Sequence, residues 1–282
     1  MKKTEKSSVL SGNRRQLMMI LSAVCLLLLG MIALGGWLWQ DKALEVDFSR
    51  KNLAPCLQYP FGTDWMGRDM FVRTIAGLSL SIRLGAVTAG ISSVIALALG
   101  LGAAVLGKTV DGLIGGLIDL VLGIPHILLL VLISYGAGKG FRGVIIGISL
   151  THWTSLARLL RAEALQVVSS QYVQIARRLG KGPWYLAGKH LLPHLIPQML
   201  VGTVLLFPHA ILHEASITFL GFGLPPEQPA IGVILSESMK YLSMGRWWLA
   251  LFPGLLLVAV VLMFHAVGQG VSDLLDPGQA QK

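Results

Sequence analysis

The sequence predicts an all-α membrane protein with six transmembrane helices, on three observations. Apolar residues make up 54% of the 282 and charged residues only 13%, against about 25% charged in a soluble domain. Mean hydropathy is +0.69. Apolar stretches recur that approach or exceed the roughly 20 residues a helix needs to cross hydrocarbon. A single water-soluble core of this length could not hide so much apolar surface, and intrinsic disorder requires low hydrophobicity. The 33 glycines follow no three-residue period, which excludes a collagen-like chain. Cys25 and Cys56 are too few for a disulfide framework or a cysteine zinc site. A net charge of +9 fits Lys and Arg retained on the cytoplasmic side of a membrane better than nucleic-acid binding.

The first expected span is 17–39, preceded by Arg14 and Arg15 and closed by Trp37 and Trp39. It is too long for a signal peptide's apolar region, and the aromatic pair suits an interface. The second span is expected at 81–106, the third at 113–135 and the fourth, a short one, at 144–157. The fifth is expected at 196–220 and the sixth at 248–271. An even number of spans puts both termini on one side. Lys2, Lys3, Lys6, Arg14 and Arg15 place residues 1–16 as a cytoplasmic tail. Segment 40–80 is then extracytoplasmic, 81–277 forms the core, and 278–282 is a second cytoplasmic tail. Gly112/Gly116 and Gly143/Gly147 repeat at the four-residue spacing that lets helices approach closely.

Residues 102–109, from Gly102 to Gly107-Lys108-Thr109, match the phosphate-binding pattern G-x-x-x-x-G-K-[ST]. That chemistry needs a loop between a strand and a helix. Here the pattern sits at the end of an apolar span, so it reads as a helix end. No assembled catalytic set accompanies it: H-E-x-x-H and G-x-S-x-G are both absent. The remote alternative, a membrane-embedded enzyme, therefore lacks its parts, and no catalytic residue is assigned.

Segment 158–195 is too polar to span and carries Arg158, Arg161, Arg177, Arg178, Lys181 and Lys189. Residues 172–179 read as a short amphipathic helix, with Val173, Ala176 and Leu179 on one face. Gly180 stops it and Pro183 opens the next segment. A short helix projecting on the cytoplasmic side can dock a partner or lie on the membrane surface.

These residues resemble the E-A-A-x3-G-x9-I-x-L-P loop of ABC-importer permeases. Gln174-Ile175-Ala176, Gly180, His190 and Leu192-Pro193 keep its spacing. Gln174, Ile175 and His190 depart from its residues. The resemblance implies a coupling helix whose Gln174, Ile175, Ala176, Arg177, Arg178 and Gly180 contact an ATPase subunit. Further along, Gly62-Thr63-Asp64-Trp65-Met66-Gly67-Arg68-Asp69 is similar to a signature of the oligopeptide/dipeptide/nickel branch. So are Phe219-Leu220-Gly221-Phe222-Gly223 with Pro225-Pro226, Phe252-Pro253-Gly254, and Asp273-Leu274-Leu275-Asp276-Pro277. The ordered set resembles that branch's C-type subunit over about 15–277. His265, Gln269, Ser272 and Ile231 stand where other residues are usual. The resemblance implies a bacterial inner-membrane permease that forms half of a translocation pathway. Its partners would be a second homologous permease, two ATP-binding cassette subunits, an extracytoplasmic solute-binding protein and membrane lipid, with no nucleic acid. The chain itself would bind no cofactor, and ATP would be used by the partner subunits. For Gly62 to Asp69 a structural role is expected, since Asp and Arg can satisfy backbone groups locally.

Substrate is read from the histidines. His209 and His213 share a helix face at i, i+4, and paired imidazoles suit nickel, copper or zinc. His152 in the fourth span joins them as an expected path residue. His209 and His213 are expected as transient metal ligands or as residues hydrogen-bonded between helices; their placement resembles that of the branch's nickel members, and the resemblance implies nickel or a related transition metal, free or chelated. The alternative is a dipeptide or oligopeptide importer with a wider path. His190 and His194, beside the loop, are expected to be solvated.

Overall fold

The computed structural model describes residues 2–275, with side chains placed from Gln16 to Leu274. Met1, Asp276-Pro277 of the closing motif and the 278–282 tail lie outside it, as do the side chains of Lys2, Lys3, Lys6, Arg14 and Arg15. The described residues are mostly helical, with no strand and one isolated bridge between Thr63 and Asp69. Ten α-helices follow in order: α1 (Lys2–Leu38), α2 (Met70–Val105), α3 (Lys108–Gly123), α4 (His126–Gly136) and α5 (Gly140–Ser169). Then come α6 (Gln171–Arg178), α7 (Pro183–Leu186), α8 (Leu192–Phe219), α9 (Ile231–Leu242) and α10 (Trp248–Leu275). A π-helical turn, Ala187–Leu191, joins α7 to α8. Five helical runs are long and apolar enough to span: Gln16–Leu38, Met70–Val105, Gly140–Ser169, Pro183–Phe219 and Trp248–Leu274. The pair α3 and α4 is apolar enough only when taken together, as one broken span or a re-entrant loop.

Four spans differ from expectation; the fifth begins at Pro183 rather than 196, because α7 and the π-helical turn run on into α8. The third is bent by 97° between α3 and α4. Pro125 disfavours helical backbone at the residue before it, and Ile124 is extended (φ −91°, ψ 135°). The second starts at Met70, because Asp69 caps it by accepting from the amides of Phe71 (2.9 Å) and Val72 (3.3 Å). The fourth is long, since its polar end is paired: Arg161 makes a two-pronged ion pair with Asp111, with Nη2 to Oδ2 at 2.9 Å, and Arg158 reaches Asp119 at 2.6 Å. Segment 158–195 is consequently mostly helix, covered by the end of α5, by α6, α7 and the start of α8. Residues 102–109 connect helix to helix, with Gly107 (φ +99°) between α2 and α3. No strand precedes them, so the phosphate-loop pattern is a helix junction.

The chain divides into two compact units, Met1–Gly85 with Phe207–Lys282, and Ala86–Leu206. In the first, α1 packs along α10 and α9 packs on α10. Ser79 Oγ donates to the Ala33 carbonyl (2.6 Å), tying α2 to α1. Ser238 Oγ donates to the Leu249 carbonyl (2.9 Å), tying α9 to α10. Met70, Ile234 and Leu249 form a small core with Phe61, Tyr241 and Trp248 against it. Phe61 stacks on Phe252 at 4.9 Å, so the motif at 61–69 meets the Phe-Pro-Gly of α10.

In the second unit, α4 lies against α5, and α3 crosses α5. Gly143 and Gly147 make the α4 contact possible: a Cβ on either would collide with Ser134. Gly112 and Gly116, with the same spacing, touch nothing within 4 Å where a Cβ would go. Ser92 Oγ donates to the Ser149 carbonyl (3.2 Å), and Thr203 Oγ1 to Ser93 Oγ (2.7 Å). These bonds satisfy hydroxyls that lipid could not.

Candidate functional site: a projecting helix and a buried ion network

The helix α6 is amphipathic in fact as in pattern, but it seats on one residue. Val173 is fully buried and Ala176 half-buried, whereas Leu179 is 74% exposed. Leu179 lies past the last helical residue, Arg178, so it leaves the face the 3.6-residue period assigns to it. The turn closes with paired bonds: the Lys181 amide donates to the Ala176 carbonyl (3.2 Å) and the Gly180 amide to the Arg177 carbonyl (3.0 Å). Gly180 takes φ +79°, a backbone in which a Cβ is strained. Gln174 donates its amide to the Val168 carbonyl (2.8 Å), which locks α6 to the end of α5. Arg177 and Arg178 are exposed in the last turn, where cations complement the helix dipole. Ile175 is 58% exposed and Trp184, just beyond, 76%. The unit thus presents an apolar knob with two cations. His190 is not solvated as expected: it is half-buried, with its ring 5.7 Å from Tyr172 and 5.9 Å from Tyr185. His194 is exposed.

In the first unit the 62–69 motif is built around one carboxylate. Asp64 Oδ1 accepts from the Met66 amide (2.8 Å) and the Arg68 amide (3.0 Å). Its Oδ2 takes Arg68 Nε (2.6 Å) and Arg73 Nη1 (3.1 Å). Glu237 on α9 completes the network, 2.8 Å from Arg73 Nη1 and 3.3 Å from Arg68 Nη2. Arg73 is 1% exposed. Two carboxylates face two guanidiniums, so charges that would be costly to bury singly are compensated. The structural role expected of the motif is what this geometry provides. Sequence reasoning did not find Arg73 or Glu237, because neither belongs to the motif and Glu237 lies 164 residues from Arg73.

His152 is buried, with Nδ1 3.1 Å from both the Ile148 carbonyl and Thr151 Oγ1. Its ring meets that of His126 edge-on at 4.8 Å. His209 is exposed and His213 half-buried, and His213 Nδ1 lies 2.7 Å from the His209 carbonyl. This contact of the i, i+4 pair runs from ring to backbone. Glu214 turns away from them and is fully buried: Ser81 Oγ donates to Oε2 (2.5 Å) and Thr218 Oγ1 to Oε1 (3.0 Å). Thr218 Oγ1 also accepts from the Leu224 amide (3.2 Å), joining α8 to the loop of the Phe-Leu-Gly motif.

Residues 95–281 match the family described as binding-protein-dependent transport system inner membrane component. The chain is 29% identical over 254 residues to the dipeptide transport system permease protein DppC of Bacillus subtilis (strain 168), covering 90% of this chain and 79% of that one. It is 30% identical over 256 residues to a protein of Escherichia coli (strain K12), covering 91% and 86%. That protein is named a probable D,D-dipeptide transport system permease protein, DdpC. The fold matches a solved inward-facing MetNI methionine ABC transporter with a TM-score of 0.61 and 18% identity, over 73% of this chain and 98% of that one.

Proposed function

The chain belongs to the family of binding-protein-dependent transport inner membrane components, and on that premise we propose that it is a permease subunit for short peptides. It is a multi-pass inner-membrane subunit of an ABC importer and carries no catalysis of its own. The observation that carries the peptide reading is the naming of relatives that cover most of this chain: they are called dipeptide permeases. The expected nickel specificity has only the histidines behind it. A ring contact between His126 and His152 and a ring-to-carbonyl contact at His213 are ordinary ways to satisfy imidazoles between helices.

In this reading both termini face the cytoplasm and segment 40–69 lies outside. The chain forms half of the path, with His152, His209 and His213 along it as polar lining. A second, homologous permease supplies the other half. Two ATP-binding cassette subunits close on ATP, and α6 carries that motion into the spans through Ile175, Arg177 and Arg178. A solute-binding protein delivers the peptide from outside. Uptake of a labelled dipeptide and of nickel, in cells with and without the gene, tests the assignment. Loss of dipeptide uptake with nickel uptake intact is the expected result. The reverse result, reproduced by His209→Ala with His213→Ala, would replace peptide by nickel.

A further inference from the structure

A polar pocket of about 270 Å³ opens within segment 42–69 of the first unit. We propose that it is a binding site for the free termini of a short zwitterionic peptide, a contact made by the permease itself. The inference rests on the peptide reading above and adds a site to it.

The walls are fixed before any ligand arrives. The Asp47 amide donates to the Met66 carbonyl (3.2 Å) and the Asn52 amide to the Asp64 carbonyl (2.9 Å). Thr63 Oγ1 bonds the Arg50 carbonyl and accepts from the Leu53 amide (2.9 Å). Gly67 (φ +78°) lies so close that a Cβ would collide with the Asp47 carbonyl. Arg50 is held at two points, by Asp47 Oδ2 (2.8 Å) and by the hydroxyl of buried Tyr59 (2.7 Å). Ser49's hydroxyl and amide hold the Asp47 carboxyl below its ordinary value, so it stays ionised on Arg50. A pocket with preset walls loses little entropy when it is filled.

The groups left over are complementary to a zwitterion. The side chains of Lys42, Glu45 and Gln58 line the pocket and make no hydrogen bond or ion pair among the described residues. Lys42 supplies donors for a carboxylate, Glu45 an acceptor for an α-ammonium, and Gln58 both kinds of group for the amide between them. Charge-assisted bonds at both ends of one ligand select free termini over blocked ones. The volume lies just under the range of about 300–1,000 Å³ usual for small-molecule sites, which fits one or two residues.

The pocket is also wired to the spans. Asp69, on its rim, caps α2. Asp64, in the same loop, is bonded to Arg73 of α2, and Arg73 to Glu237 of α9. An occupant that bridges the 42–50 and 58–69 walls therefore acts on the start of α2 and on α9.

The test uses the assembled importer in lipid nanodiscs without the solute-binding protein, with radiolabelled Ala-Ala, N-acetyl-Ala-Ala and Ala-Ala-amide as probes. Ala-Ala is expected to bind saturably and each blocked form about tenfold more weakly, the loss of roughly one charge-assisted hydrogen bond. Glu45→Gln is expected to abolish discrimination against the acetylated form and Lys42→Gln against the amide. Both positions are exposed, so the variants fold. Absence of Ala-Ala binding to the wild type, equal binding of free and blocked peptides, or variants that bind like the wild type would each overturn the site. So would variants that bind Ala-Ala normally yet lose stimulation by the loaded binding protein, which would make the pocket a docking contact. Dipeptide uptake in cells separates the two failures: uptake that survives both variants sinks the pocket alone, and uptake that never depends on the gene sinks the peptide reading.

Discussion

Arg73 and Glu237 meet at 2.8 Å across 164 residues of sequence, and Arg73 is almost wholly buried. The pair joins the first turn of α2 to α9, and Asp64 extends it to the 62–69 loop. Removing one member strands the other charges. Arg73→Met is expected to destabilise the first unit by about 3–5 kcal/mol, the usual effect of breaking a buried pair. The Arg73→Met/Glu237→Met double variant should lose less than the two single losses combined. Thermal unfolding of the purified protein in detergent reads both, and additive losses would show that the pair is not coupled.

Gly143 and Gly147 are the contact residues of the α4–α5 packing, and Gly112 and Gly116 are not. Gly147→Leu is expected to lower the melting temperature and the amount of folded protein, since overpacking costs about 1–3 kcal/mol or more. Gly116→Ala is expected to be neutral or slightly stabilising, because Ala is favoured over Gly in a helix by about 1 kcal/mol. Equal losses from both variants would contradict this packing.

Gly180 tests the cap of α6. Its φ of +79° suits Gly, is tolerated by Asn, and is closed to Pro. Gly180→Asn should retain most transport, Gly180→Ala less, and Gly180→Pro none, with all three recovered in the membrane fraction. ATP-driven uptake in proteoliposomes sets the order, and a fully active Gly180→Pro variant would remove α6 from the coupling route.

Arg177 and Arg178 are exposed and make no ion pair among the described residues. If α6 is the coupling helix proposed above, replacing both by Glu should leave the fold intact and weaken association with the ATPase subunits by about tenfold or more, as a charge reversal at a docking face does. Co-purification at low and high salt measures this, and unchanged yields at both would place the ATPase contact elsewhere.

Glu214 accepts hydrogen bonds from Ser81 and Thr218 inside the first unit. Glu214→Gln keeps an acceptor and should melt close to the wild type. Glu214→Ala leaves two buried hydroxyls without that partner and opens a cavity, and should cost about 2–4 kcal/mol. If Gln and Ala melt alike, the hydrogen bonds contribute little.

Much of this protein was legible in local chemistry. Apolar length marked the spans, and Gly180 marked the end of α6, because hydrophobic run and left-handed backbone are properties of a few consecutive residues. The break of the third span was also local in cause, written in Pro125, although the 97° angle was not. The fourth span was underestimated because Arg158 and Arg161 look like loop residues until Asp119 and Asp111 neutralise them. Leu179 was misplaced because the 3.6-residue period continues on paper past the residue where the helix stops.

The sequence by itself determined an all-helical membrane chain with five or six spans and a short capped helix between α5 and α7. Hydrophobicity and capping act within a turn or two, so their pattern survives in the linear order. Only the tertiary structure decided which charges pair, which glycines touch, where Glu214 points and which polar groups of segment 42–69 remain for a ligand. Those depend on distances between residues up to 169 positions apart. No periodicity specifies such distances, because they follow from how the helices pack.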